Sequence, residues 1–334
     1  MNASAQPLVS VLTPVYNGEL YLAECIESVL AQTYENWTYT IVNNCSRDRT
    51  LEIAEAYAAK DKRVRVHSDG VFLPIMANHN RAFGLVSTDA KYVKVVSADD
   101  WILPEFIARM VEFAEANPSV GLVGSYQLAG GGDEWYVRNG GLSFSRLAIS
   151  GREACRLHLL GRTDAFGTPT SSLYRADIVR RTANFFPNET TEADRTACFE
   201  CVRDSDYGFV HQVLSYERLH WDRMGTTAWR LNAHLPSDIH DVLTYGPMCL
   251  THDELENRVR TLMEKYYNYL ALSTLNSRDE KFWAYHRGRL EELGYPMSRA
   301  KLSKALFRSL GNLALNPKST FEEWKRRRSR PKIA

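Results

Sequence analysis

An excess of either charge is missing from this chain. Its 41 lysines and arginines stand against 40 aspartates and glutamates, a formal net charge of +1, so no global field draws it to nucleic acid. Long apolar runs are missing too. No stretch approaches the ~20 residues that a bilayer-spanning helix needs. The polar opening, Met1 to Pro7, has no signal-peptide core, and the cytoplasm is the expected compartment. Cysteine is scarce. Cys25, Cys45, Cys155, Cys198, Cys201 and Cys249 are scattered over 334 residues, too thinly for a disulfide scaffold. Cys198 and Cys201 form a CxxC, but a structural zinc site needs about four ligands and no second pair exists. Two half-buried thiols one helical turn apart are the expectation. What remains, 44% hydrophobic and 24% charged residues, suits one large globular domain or a domain with an appendage.

Strand and helix signals alternate through the first third. Leu8 to Pro14 reads as a buried strand. Glu19 to Gln32 reads as a helix, with Leu22, Ile26, Val29 and Leu30 at helical spacing. Strands over Tyr39 to Asn43, Val64 to His67, Lys91 to Ser97 and Val120 to Tyr126 interleave with helices over Thr50 to Lys60, Ile75 to Leu85 and Pro104 to Ala116. Such alternation predicts an α/β domain built on a mainly parallel sheet. It places the strand ends Thr13, Asn43 and Ser97 along one rim, where open α/β sheets bind ligands. Ala129 to Gly141 is glycine-rich and reads as a mobile loop or hairpin. Its Trp135 and Tyr136 either cover a ligand or pin the loop. Gly151 to Gly161 looks helical, and Tyr207 to Tyr216 returns to strand composition.

One of these strands ends abruptly in two carboxylates, Val95-Val96-Ser97-Ala98-Asp99-Asp100-Trp101. Adjacent carboxylates repel unless a proton or cation neutralises them. A hard divalent ion would do so and could also hold a diphosphate. The plainer alternative is a solvated turn that caps the following helix.

The run Val9-Ser10-Val11-Leu12-Thr13-Pro14-Val15-Tyr16-Asn17-Gly18, followed by Tyr21-Leu22 and Ile26 to Tyr34, resembles the opening of family 2 glycosyltransferases. The likeness continues through Ile41 to Ser46, Ala77 to Ala82 and Ser97 to Asp100, then near Asp194 and at Leu214 to His220. It implies a GT-A fold, a nucleotide-activated sugar donor and inversion at the anomeric carbon. It implies that Thr13, Pro14 and Tyr16 line the nucleoside, and that Asn80, Arg81 and Arg218 face the donor or its diphosphate. It further implies Asp99 as the direct ligand of Mn2+ or Mg2+, with Asp100 assisting or orienting it and His220 as a further ligand. Ser97 stands where many relatives carry another carboxylate, which leaves fewer protein ligands. Asn43 and Asn44 replace the usual Asp-Asp after the second strand. An Asn44 carbonyl could still accept a pyrimidine N3–H, and it is the resemblance that favours a UDP-sugar. Asp194 aligns with the catalytic base, and Glu192 is the fallback.

From about His252 the chain is helical and charged, with Leu255, Val259, Leu262, Tyr266 and Tyr269 at helical spacing. A further helix, Arg299 to Leu315, carries Leu302, Leu306, Leu310 and Leu313 and precedes the basic tail Lys325 to Lys332. Two regions are expected, a catalytic domain over 1–225 and a helical extension over 226–334. The tail and its leucine-bearing helix suit peripheral contact with an anionic membrane. The functional expectation is a metal-dependent inverting glycosyltransferase acting on a glycan or lipid-linked acceptor in cell-surface polysaccharide synthesis. Two other readings stand beside it. One is a non-catalytic nucleotide-sugar or carbohydrate-binding protein, and the other is a nucleotidyltransferase, though Thr13 to Gly18 lacks the glycine-rich basic loop of the latter.

Overall fold

The computed structural model describes residues 6–131, 134–138, 140–164, 166–187, 192–220, 231–275 and 278–315. The chain forms two compact units, Met1–Leu219 and His220–Ala334. The first is built on strands β1 (Val9–Val15), β2 (Trp37–Asn43), β3 (Val64–His67) and β4 (Tyr92–Val95), with helices α1 (Leu22–Leu30), α2 (Thr50–Ala58) and α3 (Ile75–Gly84) between them. There follow β5 (Trp101–Ile102), α4 (Phe106–Ala116), β6 (Val120–Gly131), β7 (Glu134–Arg138), β8 (Ala148–Ile149), α5 (Gly151–Leu159), a 3-10 turn (Pro169–Ser171), β9 (Ser172–Arg175), α6 (Ala176–Val179), α7 (Ala193–Arg203) and β10 (Asp206–Arg218).

The sheet runs in the order β3-β2-β1-β4-β9-β6-β10-β5. The parallel expectation holds over β3-β2-β1-β4. Beyond β4 the sheet is mixed, because β9 runs antiparallel to both β4 and β6, while β10 pairs parallel with β6. Alternation along β1 sends Val9, Val11 and Val15 into the core shared with Leu22, Cys25, Ile26 and Val29 of α1 and with Ile107 and Met110 of α4. Those four α1 positions fall at i, i+3, i+4 and i+7, one face of a helix. Burying each large aliphatic side chain there contributes about 1.5–3 kcal/mol. Thr13 shares this inward face. The sequence puts it on the rim, but it is fully buried, and its hydroxyl lies 2.8 Å from the Tyr39 hydroxyl and donates to the Val96 carbonyl at 2.9 Å. The glycine-rich stretch is a hairpin in which β7 pairs antiparallel with β6 from Gln127↔Arg138 to Gly131↔Glu134. Cys198 and Cys201 are free, buried thiols on α7, and burial pushes both pKa values up.

The second unit holds α8 (His234–Cys249), α9 (His252–Thr274), α10 (Glu280–Glu292) and α11 (Arg299–Leu315). Thr251 and Glu254 form a capping box at the start of α9, the reciprocal arrangement that satisfies two otherwise orphaned amides. Val259, Leu262, Tyr266 and Leu270 form the buried stripe of α9. The Tyr266 hydroxyl meets Nδ1 of the buried His286 at 2.6 Å. Helix α8 lies upstream of the anticipated start at His252. Pro236 and Pro247 lie within its span and disguise it, since proline ordinarily ends helices unless it sits in the first turn. No helix among the described residues is long and apolar enough to cross a membrane. The basic tail lies outside the described residues.

Helix α5 opens where Ser150 caps the Glu153 amide, and it packs against α7 at Gly151. A Cβ on Gly151 would lie 1.7 Å from the Val202 carbonyl oxygen and 2.3 Å from that of Ser205. Both obstacles are backbone, so relief requires the two elements to separate. Gly151→Ala is therefore expected to cost about 1–3 kcal/mol, read as a lower urea midpoint. A midpoint equal to wild type would show that the two elements are not locked together at this point.

Candidate active site

The turn after β4 is held from two sides. Ser97 N–H donates to Thr170 Oγ1 at 3.1 Å, and Asp100 N–H closes the turn onto Ser97 O at 3.0 Å. The Asp100 carboxylate is 1% exposed. Its Oδ2 accepts from Thr170 Oγ1 at 2.8 Å, and its Oδ1 accepts from the Arg218 amide at 3.0 Å. Asp100 thus points inward and joins β10 and the 3-10 turn to the strand end. Asp99, one residue earlier, is half-buried and remains accessible. Its carbonyl accepts from Arg218 Nε at 3.2 Å. The Arg218 guanidinium also pairs with Glu24 and lies over the rings of Tyr21 and Trp101, at 4.3 and 5.0 Å. Trp101 in turn stacks on Tyr216 at 3.7 Å, and Trp135 of the hairpin lies 4.7 Å from Tyr216. Trp135 therefore pins the hairpin while staying half exposed.

The edge formed by the ends of β1 and β2 is equally well tied. Asn44, expected to read a pyrimidine, is buried and forms two bonds with the Leu73 backbone. Its Oδ1 accepts from Leu73 N–H at 2.9 Å, and its Nδ2 donates to Leu73 O at 2.8 Å. Asn43 Oδ1 accepts from the Ser46 amide, and its Nδ2 donates to Ser68 Oγ. Arg81 Nη1 donates to Asp69 at 2.9 Å and to Val71 O at 3.1 Å. Asn80 repeats the Asn44 pattern on Phe186, donating to its carbonyl at 2.7 Å and accepting from its amide at 2.9 Å. Pro14 is buried within β1. The expected donor-facing side chains Thr13, Asn43, Asn44, Asn80 and Arg81 therefore hold the scaffold. Tyr16, 42% exposed and 5.1 Å from the ring of Phe72, stands out on the rim beside that clamped loop. Asn17 and Cys45 both adopt positive φ where the loops after β1 and β2 interlock. Such backbone is costly and persists only where its surroundings hold it.

Asp194 lies in the first turn of α7, half-buried, with Oδ1 accepting from Arg195 N–H. Burial and the neighbouring Glu192 carboxylate push its pKa up to about 6, and the Arg195 amide and the charges of Arg195 and Arg138 restrain the rise. Arg138 also pairs with the buried Glu217 at 2.6 Å. Glu217 is the residue before Arg218, so one ion pair joins the field around Asp194 to the strand that holds Asp100. Arg138, Glu217, Thr170 and Lys94 escape a reading of the sequence. Lys94, a charge inside the apolar run Tyr92–Val96, is the only one of the four with a local signal.

Residues 10–182 match the model of the family described as "Glycosyl transferase family 2". The chain belongs to glycosyl transferase family 2. An uncharacterized glycosyltransferase of Haemophilus influenzae is 37% identical to this family 2 chain over 120 residues, 36% of each chain. The EpsJ protein of Bacillus subtilis, also an uncharacterized glycosyltransferase, is 38% identical over 112 residues, 33% of this chain and 31% of EpsJ. The chain therefore spans about a third of the length of these curated relatives. Among solved structures, TarS 1-349 of S. aureus in complex with UDP-GlcNAc superposes with a TM-score of 0.63 at 16% identity, covering 85% of this chain and 80% of that one. The mannosyltransferase PcManGT of Pyrobaculum calidifontis, in complex with GDP-Man and Mn2+, gives 0.54 at 15% identity, covering 92% and 87%. At such identity these two establish the shared GT-A-type fold alone.

Two acids of this family 2 chain are prepared differently. Asp100 is buried and accepts a hydrogen bond at each oxygen from its own chain, whereas the pKa of Asp194 is raised to about 6. His220, the further expected metal ligand, follows β10 and opens the second unit. Among the described residues, no group of three or more His, Cys, Asp or Glu side chains gathers as a cation cage. A divalent ion held by one or two carboxylates and a substrate diphosphate needs no such cage, and the half-buried Asp99 fits that pattern.

Asp194 should titrate near pH 6, followed by its carboxyl carbon resonance. Glu192→Gln removes a like charge, which eases ionisation, so the midpoint should fall toward the ordinary 3.8. An unchanged midpoint would assign the whole shift to burial.

Proposed function

We propose that this chain is an inverting glycosyltransferase that moves a sugar from a nucleoside diphosphate donor, preferably a UDP-sugar, to a hydroxyl of a glycan or lipid-linked acceptor in polysaccharide synthesis. The observation that carries the reading is the division of labour around one strand end. Asp100 is anchored by Thr170 and Arg218, Asp99 is half-buried beside it, and Arg138, paired with Glu217 on β10, adds its charge to the field of Asp194. Family membership and the UDP-GlcNAc and GDP-Man neighbours support a nucleotide-sugar donor.

Asp99 is the residue to hold Mn2+ or Mg2+ on the diphosphate, with Asp100 orienting it and His220 a further candidate. The ion, when bound, offsets negative charge on the leaving diphosphate. Tyr16 presents its ring to the nucleoside at the rim. The interlocked loops after β1 and β2 keep that surface in place before the donor arrives, which lowers the ordering cost of binding. Asp194 takes the acceptor hydroxyl's proton at its carboxylate as that oxygen attacks the anomeric carbon. Proton transfer is most efficient when the base has a pKa near the working pH, and burial brings Asp194 toward that range.

The test is a thermal-shift screen of UDP, GDP and dTDP and their sugars with and without Mn2+, paired with assays of nucleoside diphosphate release. A ligand selective for the folded state raises Tm. UDP-sugars should raise it most. Asp194→Asn should keep the donor-induced shift and lose at least about 10²-fold in turnover, the lower range of general base contributions. Asp99→Ala should lose the Mn2+-dependent part of both. Donor binding without turnover in wild type would favour the non-catalytic reading, and preference for GDP would overturn the uridine assignment.

Peripheral membrane contact through the C-terminal region belongs to the same proposal. Helix α11 leaves Phe307 and Leu310 exposed one turn apart, with Lys301, Lys304 and Arg308 on the same helix. Basic residues near an anionic surface contribute about 1 kcal/mol each. Full-length protein should pellet with anionic vesicles more than a truncation ending at Ser298, and salt should erase the difference. Equal pelleting at low salt would refute the contact.

A further inference from the structure

Lys94 lies in the middle of β4 and is fully buried. Its ammonium donates to three carbonyls of the crossing segment, Pro169 O at 3.1 Å, Thr170 O, and Ser172 O at 3.2 Å. It also lies 3.9 Å above the Phe106 ring. An ammonium has three protons and no lone pair, so this set of acceptors matches the charged form. Burial drives the pKa of Lys94 well below the usual ammonium range, and the nearby Asp100 carboxylate pulls it back up.

Thr170 stands between these two buried charges and uses both of its ends. Its main-chain carbonyl accepts from Lys94, and its hydroxyl donates to Asp100 Oδ2. The same hydroxyl oxygen accepts from Ser97 N–H and lies 3.2 Å from Ser97 Oγ. The residues on both sides of the Ala98–Asp99 step are thereby tied to one threonine. Lys94, Thr170 and the Asp100 carboxylate are all buried. What they fix is the course of the backbone that carries Asp99.

We propose that Lys94 and Thr170 are positioning residues that hold the Ser97–Asp100 turn in the form that binds a divalent cation together with a nucleoside diphosphate. The inference rests on the glycosyltransferase reading for the identity of the ligand. Lys94 offsets the buried charge of Asp100 and fixes the 3-10 turn. Thr170 transmits that placement to Asp100 and Ser97 through one hydroxyl. A side chain at this position must donate to a carboxylate and accept from an amide at once, and the single oxygen of a hydroxyl does both.

The test uses the full chain and free Mn2+ measured by electron paramagnetic resonance, titrated with and without UDP. Thr170→Val keeps the side-chain shape and removes the hydroxyl, and Thr170→Ser keeps the hydroxyl. Thr170→Val should raise the Mn2+ dissociation constant in the presence of UDP at least tenfold, while Thr170→Ser stays within threefold of wild type. Lys94→Met, similar in length, should weaken Mn2+ binding in the same direction and supplies the test if Thr170→Val does not fold. In turnover assays the loss should appear in the Mn2+ concentration needed for half-maximal rate before it appears in kcat at saturating Mn2+. A general loss of stability would not divide in this way. Wild-type Mn2+ affinity in Thr170→Val, or equal losses in Thr170→Val and Thr170→Ser, overturns the inference. If wild type binds no Mn2+ with UDP, GDP or dTDP, the functional reading fails and not the role of these two residues within it.

Discussion

A carboxylate and an ammonium buried in one sheet constrain everything around them. Removing an ion from water costs several kcal/mol even after relaxation, and only close partners offset it. Asp100 and Lys94 meet that condition through elements far apart in the chain. Lys94 requires the carbonyls of residues 169, 170 and 172, and Asp100 requires the Thr170 hydroxyl and the Arg218 amide. Strand β4, the 3-10 turn and the end of β10 must therefore assemble together. The partners fix geometry more than they add stability, since a buried ion pair is often no better than a well-packed apolar one. In this chain the geometry concerns the backbone of Asp99, the accessible member of the acidic pair.

A second device recurs at the rim. Asn44 on Leu73 and Asn80 on Phe186 each use a side-chain amide as a detached piece of backbone, donating to a carbonyl and accepting from the amide of one residue. A carboxylate cannot form this pair, because it has no N–H to give. Asn44 therefore has a structural reason to stand where an acid is usual, and Asn43 adds bonds to Ser46 and Ser68. The two asparagines hold the 68–74 loop against β2, and that loop presents Phe72 beside Tyr16.

The sequence was most legible where the physics is local. The strand Val64–His67 and the starts of α2, α3 and β6 follow directly from apolar periodicity, and the opening run identifies the family before any coordinates are known. What escapes it is long-range. The Lys94–Thr170 and Asp100–Arg218 bonds join residues 76 and 118 positions apart, and Asn80 finds Phe186 across 106. No pattern of spacing announces such partners. The same blindness places Thr13 on the rim, since alternation along β1 says which residues share a face but not that Tyr39 and Val96 wait there for a hydroxyl. Helix α8 was lost for a different reason, because its two prolines mimic a loop although Pro236 sits in the first turn, where no intrahelical N–H is needed.

Three aspartates thus stand in three different environments. Asp100 is buried but surrounded by donors, so the protein itself supplies its partners. Asp194 is half-buried beside another carboxylate, and its ionisation is made difficult. Asp99 lies on the turn between the two residues tied to Thr170 and is half-buried. A carboxylate that must receive a proton should hold its charge weakly, whereas one that meets a cation should hold it strongly and reach solvent. On the proposed reading Asp194, whose pKa is raised, suits the first task, and the half-buried Asp99 suits the second by its position. Exchanging the places of Asp99 and Asp100 would cost the turn its two buried carboxylate hydrogen bonds. The Thr170 hydroxyl and the Arg218 amide oppose that exchange from opposite sides of the turn.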